Sequence, residues 1–229
     1  MALKDTRNEQ HEEGTSNVQL PSHKNALMIF TRNPELGKVK TRLAVTVGDQ
    51  SALDIYTFLL KHTATVTEKL EVDKYVFYSE KIRTNDLWNE QIYRKKAQQG
   101  TDLGARMQQA FTDLFQAGYE KVIIIGSDMY DLDQNDLKQA FNALDASEVV
   151  IGPAKDGGYY LLGMKQMIPE LFQHKNWGTD TVLQDTLEDL KEVVVTQLEE
   201  RNDIDYFSDI RHIEALQHLL PEHLDNSFN

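Results

Sequence analysis

Two kinds of apolar run alternate along the chain. Short stretches dominated by β-branched, aromatic and aliphatic residues occupy positions 26–31, 74–79, 122–125 and 148–151. Such runs, with few polar breaks, read as strands buried on both faces of a parallel sheet. A shorter run at 94–98 and a late one at 193–198 read the same way. Between them apolar residues recur at helical spacing. Ala52, Ile55, Tyr56, Leu59, Val66 and Leu70 mark a helix over 50–70. Leu103, Met107, Ala110, Phe111, Leu114 and Phe115 mark one that Thr101 caps, and Leu137, Ala140, Phe141 and Leu144 mark one that Asp133 caps. Residues 84–92 read as a short helix and loop, 166–172 as a helical turn, 180–190 as a helix, and 206–220 as one closing helix. The order β-α-β-(α)-β-α-β-α-β predicts right-handed crossovers and helices on both faces of a mostly parallel sheet.

The regular alternation breaks after residue 151. Gly152-Pro153-Ala154-Lys155-Asp156-Gly157-Gly158-Tyr159-Tyr160 packs a turn, a double glycine and the start of an apolar strand into a short space. Asp-Gly-Gly permits positive φ and close backbone approach. This is either a tight hairpin connection or a substrate loop with Asp156 aimed at an acceptor. Residues 1–24 are polar and aperiodic and read as a tail. Residues 25–229 read as one domain, with no internal repeat or linker.

Charge and composition narrow the chemistry. A net charge of −13 argues against a general nucleic-acid binder. The absence of cysteine excludes thiol catalysis and thiolate metal sites. No apolar run is long enough to span a membrane, and no signal core is visible, so a soluble cytoplasmic protein is the expectation. Against this acidic background Arg32, Lys38, Lys40 and Arg42 fall within eleven residues, around Pro34 and Gly37. A basic loop between a first strand and a helix suits a diphosphate; a solvated basic turn is the plain alternative. It matches neither the P-loop nor the GxGxxG pattern. Asp128 follows the 122–125 run. In an open α/β sheet ligands lie beyond the carboxyl ends of strands, where a carboxylate can hold a hard cation against phosphate. The plain alternative is that Asp128 opens a turn.

Three segments together resemble one family. Residues 30–43 (FTRNPELGKVKTRL) resemble its pattern F-x-[KR]-x-P-x-x-G-x-V-K-T-R-L. Gly126-Ser127-Asp128 and Gly152-Pro153-Ala154-x-Asp156-Gly157-Gly158-Tyr159-Tyr160 resemble its middle, and Trp177-Gly178-Thr179 stands where it carries a Trp-Ser-Thr element. This is a bacterial family described as glycosyltransferases of the type A fold, some assigned to arsenosugar biosynthesis. The resemblance covers about residues 26–220. It implies a single-domain three-layer α/β/α fold of the nucleotide-diphospho-sugar transferase type. It also implies a nucleotide-sugar donor, a small-molecule acceptor, and Mg²⁺ or Mn²⁺. Molybdenum-cofactor and phospholactate guanylyltransferases look like relatives, and residues 203–210 resemble a late segment of the former. That likeness implies that Asp128 and Asp203 or Asp205 bracket the metal while Lys40 and Arg42 face the diphosphate. Arg32, Gly37 and Lys38 complete the expected nucleotide loop. Asp156 is the expected acceptor base or acceptor hydrogen-bonder, with Asp180, otherwise a first-turn acid of its helix, in reserve, and Gly157, Gly158, Tyr159, Trp177 and Thr179 form the expected acceptor loop.

The family pattern G-[ST]-D-C-P-x-L is here Gly126-Ser127-Asp128-Met129-Tyr130-Asp131-Leu132. Tyr130 in place of proline is expected to add bulk near the donor, and Asp131 to add a carboxylate. The expected function is metal-dependent glycosyl transfer. The alternatives are nucleotidyl transfer with pyrophosphate release, and a degenerate fold that binds nucleotide without turnover.

Overall fold

A computed structural model describes residues 21–225. Most of the expected tail, residues 1–20, therefore lies outside the described residues. Seven strands form one sheet: β1 (Asn25–Thr31), β2 (Asp73–Tyr78), β3 (Tyr93–Ala97), β4 (Lys121–Ile125), β5 (Val149–Pro153), β6 (Tyr159–Met164) and β7 (Val195–Gln197). Their spatial order is β3-β2-β1-β4-β6-β5-β7. All neighbours are parallel except β6, which runs antiparallel to both β4 and β5. The break at 152–158 is thus a hairpin that places a reversed strand inside a parallel sheet.

Alternation along each strand fills two layers, as the pleat requires. Leu27, Ile29, Ile123 and Ile125 face one side, where they pack with Tyr56 and Leu60 of α1 (Thr41–Thr67) and Leu137 and Phe141 of α3 (Gln134–Ala146). Ala26, Met28, Val122 and Ile124 face the other, against Met107, Phe111 and Leu114 of α2 (Leu103–Gln116). α4 (Val182–Asp189) and a 3-10 turn (Pro169–Phe172) close that second layer. Each buried Leu, Ile, Val, Phe or Met among them contributes roughly 1.5–3 kcal/mol from loss of apolar surface to water.

Several local expectations change, and α2 is capped by Asp102, whose carboxylate accepts from the Ala105 N–H at 2.9 Å, not by Thr101. The first long helix begins at Thr41, not near residue 50, and is interrupted at Gly48, where φ is 80° and ψ 159°. Residues 84–92 contain no helix: the Asp86 carboxylate accepts from the Trp88 N–H (3.1 Å) and the Tyr78 hydroxyl (2.6 Å), a side-chain bonding pattern that competes with helix. The closing segment is three short helices, α5 (Phe207–Ile210), α6 (Glu214–Gln217) and α7 (Glu222–Asp225). Here the Gln217 amide donates to the carbonyls of Ile210, Arg211 and Ile213, taking the place of helical backbone bonds. The bends let Ile210, Leu216 and Leu220 all reach Leu43, Ile55 and Leu59 of α1.

Candidate functional site

The carboxyl ends of β1 and β4 meet α1 through a small hydroxyl network. The Tyr56 hydroxyl lies 3.1 Å from Thr31 Oγ1 and 3.2 Å from Ser127 Oγ, and accepts from the Arg32 N–H at 2.9 Å. This welds the basic loop's first residue to the Gly126-Ser127-Asp128 turn. Asn33, buried in the same loop, accepts from the Glu80 N–H and donates to the Lys81 carbonyl, tying the loop to the end of β2. Neither role is visible in the sequence: Tyr56 reads as one more apolar position on a helix.

From this frame the loop turns into α1 at Lys40, whose φ of 47° and ψ of 44° put a non-glycine residue in the left-handed region. Such residues are uncommon and cluster at functional sites. The Lys40 ammonium donates to Asp128 Oδ2 at 2.8 Å and to Asp205 Oδ1 at 3.1 Å. Arg42 donates to Asp205 Oδ2 at 2.7 Å, and its guanidinium lies 5.9 Å from the Tyr206 ring centre. Burial works against the Lys40 charge, but the Asp128 and Asp205 carboxylates outweigh it and push its pKa up to about 12.

The C-terminal acids arrive by a different route. Arg201 pairs with Ala154 as a single parallel β-bridge, so residues 201–205 continue alongside the hairpin that follows β5. The Arg201 guanidinium donates to Asp136 at 2.8 Å and to the Asp131 carbonyl. Ile204 is buried against α1, and its neighbours Asp203 and Asp205 turn the other way. The Asp209 carboxylate accepts from the Asp205 and Tyr206 N–H groups and fixes the turn. Burial, then the charges of Asp205 and Asp128, push the Asp203 carboxyl up to about 6.

A cavity of about 250 Å³ opens beside these groups, on the α2 side of the sheet. Asp128, Asp156 and Asp203 line it together with Gly126, Met129, Gly158, Tyr159, Trp177 and Thr179. Asp156 Oδ1 accepts from the Gly158 N–H at 2.9 Å, which fixes the carboxylate at the hairpin tip. Gly157 has φ +86°, and a Cβ there would lie 2.2 Å from the Asp180 carbonyl oxygen. The Leu183 N–H donates to the Gly157 carbonyl at 2.8 Å, so the tip docks on the start of α4.

The structure thus brings together Lys40, Arg42, Asp128, Asp203 and Asp205, and sets Asp156, Gly158, Tyr159, Trp177 and Thr179 around the adjoining cavity. Lys40 does not stand opposite the acids, as expected; it stands between two of them. Arg32 and Lys38 are exposed, and Lys38 pairs with Glu35 at 2.7 Å. Gly37, with φ +72°, shapes their turn. Tyr130 does not crowd the donor side: its ring packs 5.2 Å from His62 and 6.1 Å from Phe58 on α1. Asp131 faces Arg201 rather than the other acids.

Whether these residues suit a divalent cation turns on donor type and spacing. Carboxylate oxygens are the donors that Mg²⁺ and Mn²⁺ prefer. Burial first, and then the neighbouring Asp205 and Asp128 charges, raise the Asp203 pKa, and a cation beside it would offset both. Among the described residues no three His, Asp or Glu side chains are grouped closely enough to hold an ion by themselves. Both oxygens of Asp205 are engaged by cations, which leaves Asp128 and Asp203 as the better donors. The set therefore fits an ion held by one or two carboxylates and completed by substrate oxygens, the usual manner for Mg²⁺.

Comparison with known proteins agrees with this architecture. Residues 62–179 match the family described as "Uncharacterized protein conserved in bacteria (DUF2064)". The chain belongs to this family. A crystal structure from Desulfovibrio desulfuricans G20, provisionally assigned as a nucleotide-diphospho-sugar transferase, is 31% identical. The match covers 85% of this chain and 94% of that one, with a TM-score of 0.76. The 4-diphosphocytidyl-2C-methyl-D-erythritol synthase of Anaerococcus prevotii DSM 20548 is 12% identical over 81% of this chain and 92% of its own, with a TM-score of 0.53. A cytidylyltransferase from Leptospira borgpetersenii is 14% identical over 80% and 79%, with a TM-score of 0.51. The last two share the fold with this DUF2064 protein. No curated protein sequence matches the chain. Among the described residues no helix is long and apolar enough to cross a membrane.

Proposed function

We propose that the protein is a metal-dependent glycosyltransferase that uses a nucleotide-diphospho-sugar donor. The observation that carries this reading is the meeting of Lys40, Asp128, Asp203 and Asp205 at the carboxyl ends of the strands, directly beside a cavity rimmed by Asp156. Breaking a sugar–phosphate bond builds negative charge on the departing diphosphate. A bound Mg²⁺ or Mn²⁺ ion, held by Asp128 and Asp203, supplies charge neutralisation there. Lys40 remains an ammonium throughout the neutral range, because its pKa lies near 12. It adds a fixed positive charge where the negative charge develops. Arg42, exposed beside Asp205, offers a planar guanidinium for bidentate contact with phosphate. Asp156 is positioned to take the proton of an acceptor hydroxyl, since its carboxylate lines the cavity and its second oxygen is not spent on the Gly158 N–H.

The test is product analysis. The pure protein is incubated with nucleotide sugars and with nucleoside triphosphates, each with Mg²⁺ or Mn²⁺. Glycosyl transfer predicts slow donor hydrolysis to free sugar and nucleoside diphosphate. Pyrophosphate release from a triphosphate would replace this reading with nucleotidyl transfer. Nucleotide binding without turnover in either assay would leave a binding module.

A further inference from the structure

The cavity beside Asp128 has a lining that says what kind of molecule enters it. Its wall is apolar and aromatic: Phe30, Leu103, Met107, Tyr159, Trp177 and Val182 contribute from β1, α2, β6, the 177–179 loop and α4. Its charged groups are all acids, namely Asp128, Asp156 and Asp203; no Lys, Arg or His among the described residues lines it. The cations of the site, Lys40 and Arg42, are not part of this wall. Away from the ion proposed at Asp128 and Asp203, a phosphate or carboxylate group set against the apolar wall would find no cation and would face Asp156. Such a placement is strongly unfavourable.

Size narrows the occupant further. A dry cavity of about 150 Å³ accommodates benzene. By that scale, the 250 Å³ here enclose about ten non-hydrogen atoms of an occupant, whose remainder extends through the open side. The wall is also built in rather than left over. The Trp177 indole lies against Gly104 in the first turn of α2, where a Cβ would come within 2.5 Å of its Nε1 and 2.6 Å of the Phe172 carbonyl oxygen. Glycine at 104 is what lets the indole Nε1 edge approach the helix this closely.

We infer that this cavity takes the acceptor, and that the acceptor is an alcohol whose body is apolar and carries no negative charge. The inference rests on the glycosyltransferase reading. In the reaction the acceptor O–H proton passes to the Asp156 carboxylate. The new bond forms between the acceptor oxygen and the anomeric carbon, and the old anomeric carbon–oxygen bond breaks with its electron pair leaving on the nucleoside diphosphate.

Binding alone tests this, with no donor and no turnover needed. The probes are 3-phenylpropan-1-ol, 3-phenylpropanoate and sorbitol, each titrated into the full chain in EDTA, so that no divalent ion bridges the carboxylate probe to Asp128. Calorimetry gives affinity and tryptophan quenching gives location. Trp88 is buried in the opposite layer, so quenching reports on Trp177. The alcohol is expected to bind at least about tenfold more tightly than either comparator. Trp177→Phe should abolish the quench while calorimetric binding survives. Gly104→Ala, checked for an intact thermal transition, should push the indole inward and weaken alcohol binding at least about tenfold. Equal or tighter binding of the carboxylate or of sorbitol, a quench that persists in Trp177→Phe, or no binding of any probe would overturn the inference. Failure of donor hydrolysis with alcohol binding intact would instead count against the glycosyltransferase reading alone.

Discussion

Two buried polar networks sit at opposite ends of the same strands, and they are built on different principles. At the amino ends, Arg94 donates to the hydroxyls of Tyr75 (2.9 Å) and Tyr119 (3.0 Å). Tyr119 donates to Asp73 at 2.6 Å, and the Ser22 N–H donates to the same carboxylate at 2.7 Å. Among the described residues one acid, Asp73, lies with one cation, Arg94, and the Tyr75 and Tyr119 phenols and Ser22 complete the bonds. Burial alone would raise the Asp73 pKa, but the bonds from Tyr119 and Ser22 and the charge of Arg94 hold it below its ordinary value. At the carboxyl ends, four acids (Asp128, Asp156, Asp203, Asp205) face two cations (Lys40, Arg42), and Asp203 is raised. The first network is closed and satisfied, as a structural clamp should be. The second carries unbalanced charge beside a cavity, which is how ligand sites are built.

Substitutions can break that contrast. Asp73→Ala removes the buried acceptor of the Tyr119 hydroxyl and the Ser22 N–H and should cost about 3 kcal/mol in urea unfolding, with turnover per folded molecule unchanged. Asp128→Asn should do the reverse: donor turnover falls at least about 100-fold while the unfolding midpoint barely moves. Gly157→Ala forces a left-handed residue against the Asp180 carbonyl and should cost about 2 kcal/mol. Because the hairpin tip carries Asp156, turnover should fall with it. Arg42→Ala should weaken nucleoside diphosphate binding about tenfold, yet change stability by under about 0.5 kcal/mol, since the Arg42–Asp205 pair is exposed on the arginine side.

The smallest effect sharpens the contrast by pH. Asp73 has a folded-state pKa below its ordinary 3.8. Its contribution to stability is therefore full above that value and is lost as pH falls through the folded pKa. The stability gap between wild type and Asp73→Ala should be constant near neutrality and narrow only in acid. A gap that widens on acidification would show that Asp73 is not held ionised by its partners.

The strands were readable because a sheet covered on both faces demands runs of β-branched and aromatic residues, and 122–125 or 149–151 can be little else. Helices with a single buried stripe and a clear cap, such as α3 with its Asp133–Asp136 capping box, were readable for the same local reason. The closing segment was not. Its apolar spacing fits one helix, and only the Gln217 amide and the shape of α1 explain why it bends into three. The site divides similarly. Charge density marked Lys40 and Arg42, and position after a strand marked Asp128. Tyr56 and Asn33, which hold the loop in place, look like ordinary helix and turn residues, because their hydroxyl and amide partners are distant in sequence. Tyr130, expected beside the donor, instead turns its ring to α1, since a one-dimensional pattern does not say which side of a turn a ring will take.

The most direct measurement is calorimetry of a nucleoside diphosphate binding to wild type and to Asp128→Asn, each with and without Mg²⁺ or Mn²⁺. If the carboxyl-end acids and Lys40 grip a metal–diphosphate unit, the ion should tighten wild-type binding at least about tenfold and leave Asp128→Asn unaffected. Equal affinity with and without the ion in wild type, or the same ion dependence in both proteins, would contradict it.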